Sequence, residues 1–361
     1  MIVFSVGLPG RFAEWCDAVI ARMVECALGS VERIDANRLS EFGRGAMRAR
    51  SPHRVIASRK PTARIGMAIA DANRNCILAL DDPYSALHQS VEQGGMDMVD
   101  AVRAIACGCA SIVEFTRIPR TLVLNGMAEP CDPEQAAMAI SRYLGLELTA
   151  ADLAAVTNGL DDLRPNADPV SQEKWWADLK ERDRQMAIGA FGSYARYLNG
   201  EALNDVIWEP DLLYITAELQ ENRSLPALRS ADITGRPRCL ISGPAISLPS
   251  GTWSAKLPVM LSPEAAELGY LVEIAAGLPL TSTRIGAHAG RHVELTLQFT
   301  TDNSVEDPLE IRIWNERSAF DGELALGPMT LTPLSDAGGW NRQPAPPMDS
   351  LAQTDAHTPP C

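Results

Sequence analysis

No stretch of this chain approaches the roughly 18 consecutive apolar residues of a membrane span, and its first apolar run is too short, with no basic segment before it, for a secretory signal. A cytoplasmic protein with no membrane span is the expectation. The eight cysteines include no Cys-x-x-Cys pair, and no histidine is spaced to complete a zinc site. Most of these thiols sit in apolar runs, where a free thiol behaves as a small hydrophobe, so a reducing compartment and no metal are expected. Positive charge is scarce: 32 Lys and Arg stand against 46 Asp and Glu, a formal net charge of −14. That balance excludes the basic face rewarded by nucleic acid or an anionic membrane, and leaves neutral or small partners. A Gly-x-Ser-x-Gly elbow is absent, and no Ser/His/Asp set can be assembled.

What is present is ordinary globular material, 46% hydrophobic over 361 residues. That length exceeds what one hydrophobic core usually serves, so two domains are expected. The first 28 residues are the most informative: the apolar run Ile2 to Val6 meets Gly7-Leu8-Pro9-Gly10-Arg11 and then an amphipathic segment from Phe12 to Leu28. Strand, glycine turn and helix form the geometry of an anion cradle, because a helix start offers unpaired N–H groups and a positive dipole end.

Further along, Val55 to Ser58, Cys76 to Leu80 and Thr121 to Leu124 read as short buried parallel strands. Between them lie helical patterns. Asp132 suits an N-cap, Pro133 the first helical position and Gly145 the stop, and Thr149 with Asp152 has capping-box spacing. Strands alternating with helices predict a parallel sheet covered on both faces. Residues from about 165 carry Trp175-Trp176 and then Phe191, Tyr194, Tyr197 and Leu198 at helical spacing, a helical bridge with core aromatics. After Pro237, apolar and polar residues alternate in Leu271 to Ala275, Val293 to Phe299 and Leu309 to Trp314, with turns at Pro249-Ser250-Gly251 and Asp321-Gly322. These predict an antiparallel β-sandwich or jelly roll.

Three blocks in order resemble the P-loop-type sulfotransferase family, whose members move a sulfuryl group from 3′-phosphoadenosine 5′-phosphosulfate (PAPS) to a hydroxyl or amine. They are the first loop, where the family has Pro-(Lys/Arg)-Ser-Gly-Thr-Thr; Leu78 to Leu87, which follows the shape of a strand and an Arg-Asp-Pro-x-x-Ala-Leu helix start; and Pro133 to Leu148, like the late helix ending in Phe-Leu-Gly-Leu. The resemblance covers about the first 160 residues. It implies a sulfotransferase-like α/β domain over 1–160; the patterning of the rest of the chain adds a helical bridge over 161–232, a β-sandwich over 233–334 and, where Pro, Gly, Ser and Asp take over, a disordered tail over 335–361.

The resemblance also assigns residues. Gly7, Pro9, Gly10, Arg11 and Phe12 would cradle the phosphosulfate, with Ser90 near the family's partner serine, which falls at Gln89. In the family's Lys-Thr-His-x-Pro stretch this chain has Ala57-Ser58-Arg59-Lys60-Pro61. Arg59 stays protonated and cannot be a general base, so Arg59 and Lys60 would stabilise charge on a transferred group. Glu14, one turn into the first helix, is the stand-in base or a solvated helix-face glutamate.

Departures are as specific as matches. The basic residue of the first loop is Leu8, its threonines are Arg11 and Phe12, and the arginine that meets the 3′-phosphate is Asp81, followed by Asp82. Replacing a cation by an anion there reverses a term of about 4 kcal/mol at about 4 Å and an effective dielectric of 20. Asp81-Asp82 reads as a metal-holding pair or as a strand-end pair capping the next helix. His288 and His292 would share a metal on a helix, although their glycine-rich surroundings favour a loop, and Cys107-Gly108-Cys109 reads as packed helix. In the β half, Trp253 and Trp314 are candidate glycan-stacking rings or sandwich core. Two functions therefore stand: sulfuryl transfer from PAPS to a glycan or glycan precursor through a degenerate donor site, or a catalytically inactive glycan-binding scaffold in cell-surface polysaccharide assembly.

Overall fold

The structure, a computed structural model, describes residues 1–38, 40–41, 51–118, 120–127, 132–160, 169–219, 225, 229–302 and 308–336. Its amino-terminal half is a parallel five-stranded sheet in the order β2-β3-β1-β4-β5. The strands are β1 (Ile2–Gly7), β2 (Val31–Asp35), β3 (His53–Ser58), β4 (Asn75–Leu80) and β5 (Thr121–Asn125). β1 lies at the centre, Val6 opposite Ser58 on one side and Leu78 on the other. Continuous apolar runs are required there because helices cover both faces. On one face α1 (Arg11–Leu28) lays Phe12, Trp15, Val19 and Met23 into a core shared with Ile77, Leu124 and Ile140. The short helices α2 (Ala63–Asp71) and α3 (Pro83–His88) follow β3 and β4, and α3 runs into a π-helical turn, Gln89–Gln93. On the other face α4 (Met98–Phe115) buries Ile105, Cys109 and Ile112.

The predicted caps form. Asp132 accepts from Glu134 N at 2.9 Å at the start of α5 (Pro133–Leu144), and Gly145 closes that helix in the left-handed region. Thr149 and Asp152 form a complete capping box on α6 (Ala150–Thr157). In α7 (Pro169–Asp178) and α8 (Glu181–Leu198) the aromatic residues are packing elements. Trp176 meets the Tyr84 ring at 4.9 Å, Tyr84 meets Phe191 at 5.2 Å, and Trp175 donates to Glu92 at 2.8 Å.

After Leu198 the chain supplies β6 (Val206–Trp208), β7 (Tyr214–Ile215) and β8 (Ala231–Asp232) to the sheets of the β half, within the range expected as a helical bridge. Strands of two or three residues leave no alternation to detect. The remaining strands are β9 (Cys239–Ile246), β10 (Gly251–Leu261), then, after the short helix α9 (Pro263–Ala266), β11 (Tyr270–Ala276), β12 (Leu278–Ile285), β13 (His292–Thr301), β14 (Leu309–Asn315), β15 (Glu323–Leu326) and β16 (Met329–Asp336). They form two antiparallel sheets, β6-β16-β10-β15-β8 with β13 on β10, and β12-β11-β14-β9-β7. The fold is therefore the expected α/β parallel sheet flanked by helices with a C-terminal antiparallel β-sandwich. The tail expected from residue 335 begins inside β16, and from 337 it lies outside the described residues, as does Cys131.

One apolar core runs from the parallel sheet through α4 and α8 into both β sheets. Polar contacts reinforce the join along α4. Arg103 donates to Leu212 O at 3.1 Å and lies 4.0 Å over the Tyr214 ring. Glu114, buried, accepts from the Ser250 amide at 2.7 Å and pairs with Arg117 at 3.2 Å. Cys107 accepts from Ser247 N at 3.4 Å, so Cys107-Gly108-Cys109 is packed helix as predicted. Among the described residues no helix is long and apolar enough to cross a membrane.

Candidate functional site

The first turn of α1 decides what the loop between β1 and α1 can hold. Gly10 is the N-cap position and brings no side chain to it. The helix-start amides of Phe12 and Ala13 point instead at Asp81, at the end of β4: Phe12 N donates to Oδ1 at 3.2 Å and Ala13 N to Oδ2 at 3.0 Å. The next amide, of Glu14, already makes the first helical bond to Gly10 O at 3.1 Å. A carboxyl group thus sits in the cradle, and the chain supplies it. The fit is tight, because an ideal Cβ on Gly10 would fall 2.7 Å from Asp81 Oδ1.

Asp81 is 6% exposed. Burial pushes its carboxyl up to about 7, against the downward pull of the Ala13 and Phe12 amides and of the Arg59 charge, while neighbouring Asp82 pushes the same way as burial. Asp82 caps α3, accepting from Ser85 N at 3.0 Å, and also accepts from Gln172 at 3.2 Å. Burial raises its carboxyl as well, opposed by the Ser85 and Tyr84 amides and the Gln172 bond. The adjacent aspartates therefore cap two different helices, which assigns both and leaves neither as a metal ligand here. Among the described residues, no group of three or more His, Cys, Asp and Glu could hold a metal. His288 lies in a loop paired with Glu267 at 2.8 Å, while His292 opens β13, so they share no helix.

The other residues assigned from the sequence fall into two sets. Leu8 is buried against Gly108, and Phe12 is buried, stacked on Trp15 at 5.8 Å and pressed on Gly126. As a cofactor contact Phe12 offers only its amide, which Asp81 takes, and Gly7 is tight because a Cβ would meet Ala79 O at 2.7 Å. Arg59 is committed internally: it donates to Ala13 O at 2.8 Å and Ser58 O at 3.1 Å and pairs with buried Asp17, which also binds Arg33 at 3.1 Å. A partly buried guanidinium already paired with Asp17 is poorly placed to meet a transferred group. Glu14 accepts from Gln89 at 3.2 Å, a bond the solvated-helix-face reading did not include. The Arg11 side chain makes no hydrogen bond or ion pair among the described residues.

Pro9, Arg59, Lys60 and Ser90 do converge, with Leu8 and Gln89, on one cavity of about 340 Å³ beside the cradle. Ser90 Oγ turns away, donating to Ala86 O at 2.8 Å, and Lys60 is exposed, with only its backbone amide tied, to Asn37 at 3.0 Å. The Phe12 and Ala13 amides of the cradle are taken by Asp81, and Leu8 and Asp81 stand where the resemblance expects cations. Sequence reasoning missed Asp17 as the partner of Arg59 and Asp81 as the cap of α1. The signal for the second was the coincidence of a side-chain-free N-cap at Gly10 with an acid at the family's arginine position.

In the β half Trp253 is fully buried and donates to Pro249 O at 3.0 Å, so it is sandwich core and offers no stacking face. Trp314, 36% exposed, lies on the outer face of its sheet with Nε1 donating to Glu273 at 3.0 Å. Next to it on that face Arg312 pairs with Glu310 at 3.0 Å.

No protein-family model matches the chain, and no curated protein matches it significantly in sequence. Among solved structures, a mouse sulfotransferase complexed with PAP is similar at 12% identity, over 56% of this chain and 89% of that one, with a TM-score of 0.40. A xylan-binding module is similar at 13% identity, over 37% of this chain and 99% of its own, with a TM-score of 0.26. A glycosylation associate protein complex from Streptococcus agalactiae is similar at 7% identity, over 84% of this chain and 49% of that chain, with a TM-score of 0.23.

Proposed function

We propose that this chain keeps a sulfotransferase-like architecture without using PAPS, and acts as a glycan-binding scaffold in cell-surface polysaccharide assembly. One observation carries the first half of the reading: the Asp81 carboxylate on the Phe12 and Ala13 amides. An incoming phosphate must displace a buried carboxyl that accepts two backbone hydrogen bonds and then sit beside it; above about pH 7, where that carboxyl is ionised, like charges at about 4 Å repel by about 4 kcal/mol at an effective dielectric of 20. Arg59, the cation nearest in role, is held by Asp17 and two carbonyls. Neither Leu8 nor Phe12 supplies a donor in compensation.

The second half rests on Trp314. Its ring is held by the bond to Glu273 and remains partly open to solvent, and the Glu310–Arg312 pair lies alongside it. A fixed aromatic face with charged hydrogen-bonding groups at its edge is the chemistry that stacks on a pyranose ring and holds its hydroxyls.

The test is the melting temperature with adenosine 3′,5′-diphosphate, PAPS or neutral oligosaccharides at about 1 mM each, where ligand linkage is readable as a shift. No shift with either nucleotide is expected, together with a rise for an oligosaccharide that Trp314→Ala abolishes. A rise with the diphosphate sinks the donorless reading, and loss of binding by Trp253→Phe but not Trp314→Ala sinks the assignment of the glycan face.

A further inference from the structure

The cavity beside the sealed cradle is not accounted for by a scaffold role. One wall is the π-helical turn Gln89–Gln93, whose Gln89, Ser90 and Gln93 line it. Gly94 N donates to Gln89 O at 3.0 Å, five residues back, and Met96 N to Ser90 O at 3.1 Å. Closing the turn depends on two consecutive glycines. An ideal Cβ on Gly94 would fall 2.6 Å from Ser90 O, and Gly95 has φ of +62°. A π turn has poorer geometry than the α-helix it interrupts, is rare, and persists mostly where a surface uses the shape it makes.

That shape is an apolar recess. Leu8 and Ile105 are buried at its floor, and Pro9, Met96 and Ala104 complete the apolar lining. The polar groups around it are the neutral amides of Gln89 and Gln93, the inward-bonded Ser90 hydroxyl, and two cations. Arg59 is paired with Asp17, whereas Lys60 is exposed and makes no ion pair among the described residues. Among the described residues the recess therefore presents one cation without an ion-pair partner, over an apolar hollow.

We propose that this cavity binds a small apolar molecule bearing a single carboxylate, its hydrocarbon against Leu8, Met96 and Ile105 and its carboxylate at Lys60. A volume of about 340 Å³ holds a medium-length chain or a one- to two-ring molecule. Only one cation is available, so a monoanion is matched and a nucleotide is not. Ligand and glycan would occupy different halves, and this site stands whether or not the β sheet binds sugar.

The experiment is calorimetric titration of the full chain with sodium octanoate and with octanol. Octanoate is expected to bind one per chain, and Ala104→Phe, an exposed position at the cavity, is expected to abolish binding with an unchanged circular dichroism spectrum. Lys60→Met is expected to weaken octanoate by about two- to fivefold and leave octanol unchanged, the range for a partly exposed ion pair. Absence of octanoate binding, binding that survives Ala104→Phe, or equal loss of octanoate and octanol in Lys60→Met overturns the proposal. The adenosine 3′,5′-diphosphate measurement is separate, so failure here and failure of the donorless reading are told apart.

Discussion

Two helix starts in the same α/β half are closed by aspartate in opposite ways. At Pro133 the cap is the preceding residue, Asp132, half-buried and joined by solvent-exposed bonds to amides two and three positions ahead. At Arg11 the preceding residue is Gly10, and the carboxyl arrives from Asp81, buried and 69 positions beyond the Phe12 amide it accepts from. The local cap stabilises one helix. The distant one ties a helix to the end of a neighbouring strand and, in doing so, takes the place where an external anion would sit. The same chemical group thus finishes a surface in one case and closes a site in the other.

The largest expected effect is on the distant cap. Asp81→Ala leaves two helix-start amides without a partner and should cost about 2–4 kcal/mol in denaturant unfolding at pH 5. The variant should also be stabilised by millimolar phosphate, which the parent chain is not, since an emptied helix start is an anion site. A phosphate-insensitive variant breaks the comparison.

The distant cap can also be probed by pH. Burial lifts the Asp81 carboxyl from 3.8 to about 7 on folding. Between those values the native state binds the extra proton, so this group's contribution to stability is full below 3.8, falls as pH rises, and is lost above about 7. The cost of Asp81→Ala should therefore shrink from pH 5 to pH 8. A cost that does not change over that range would show that Asp81 is not titrating in the folded chain.

Gly10→Ala sharpens the contrast at one carbon. Its Cβ meets the Asp81 carboxylate, and overpacking of this kind costs about 1–3 kcal/mol. Combined with Asp81→Ala the penalty should be clearly less than additive, because the clashing atoms are gone. Asp132→Ala should be the mildest, about 1 kcal/mol in thermal unfolding, the ordinary worth of an N-cap.

Much of the architecture was legible because its causes are local. β1 and β4 declare themselves by unbroken apolar runs, and Asp132, Pro133, Gly145 and the Thr149–Asp152 box by cap chemistry. The fate of the two tryptophans was legible too, in alternation. Leu309, Ile311 and Ile313 share one face of β14, which puts Trp314 on the other, whereas Trp253 has the parity of Ala255, Leu257 and Val259. The grip of Asp81 on α1 was not, because it exists only once β4 lies beside β1. Nor were β6 to β8, too short for a pattern, or the π turn, whose sequence mark is only the Gly94-Gly95 pair.

α4 has the parallel sheet on one side and β9 on the other, and its Glu114 is bound to the amide that starts the turn into β10. Cutting the chain between the halves would strip that helix of a wall on one side and strand an acid in oil on the other. Heat should accordingly melt the protein in a single calorimetric peak, and neither half, expressed by itself, should stay in solution.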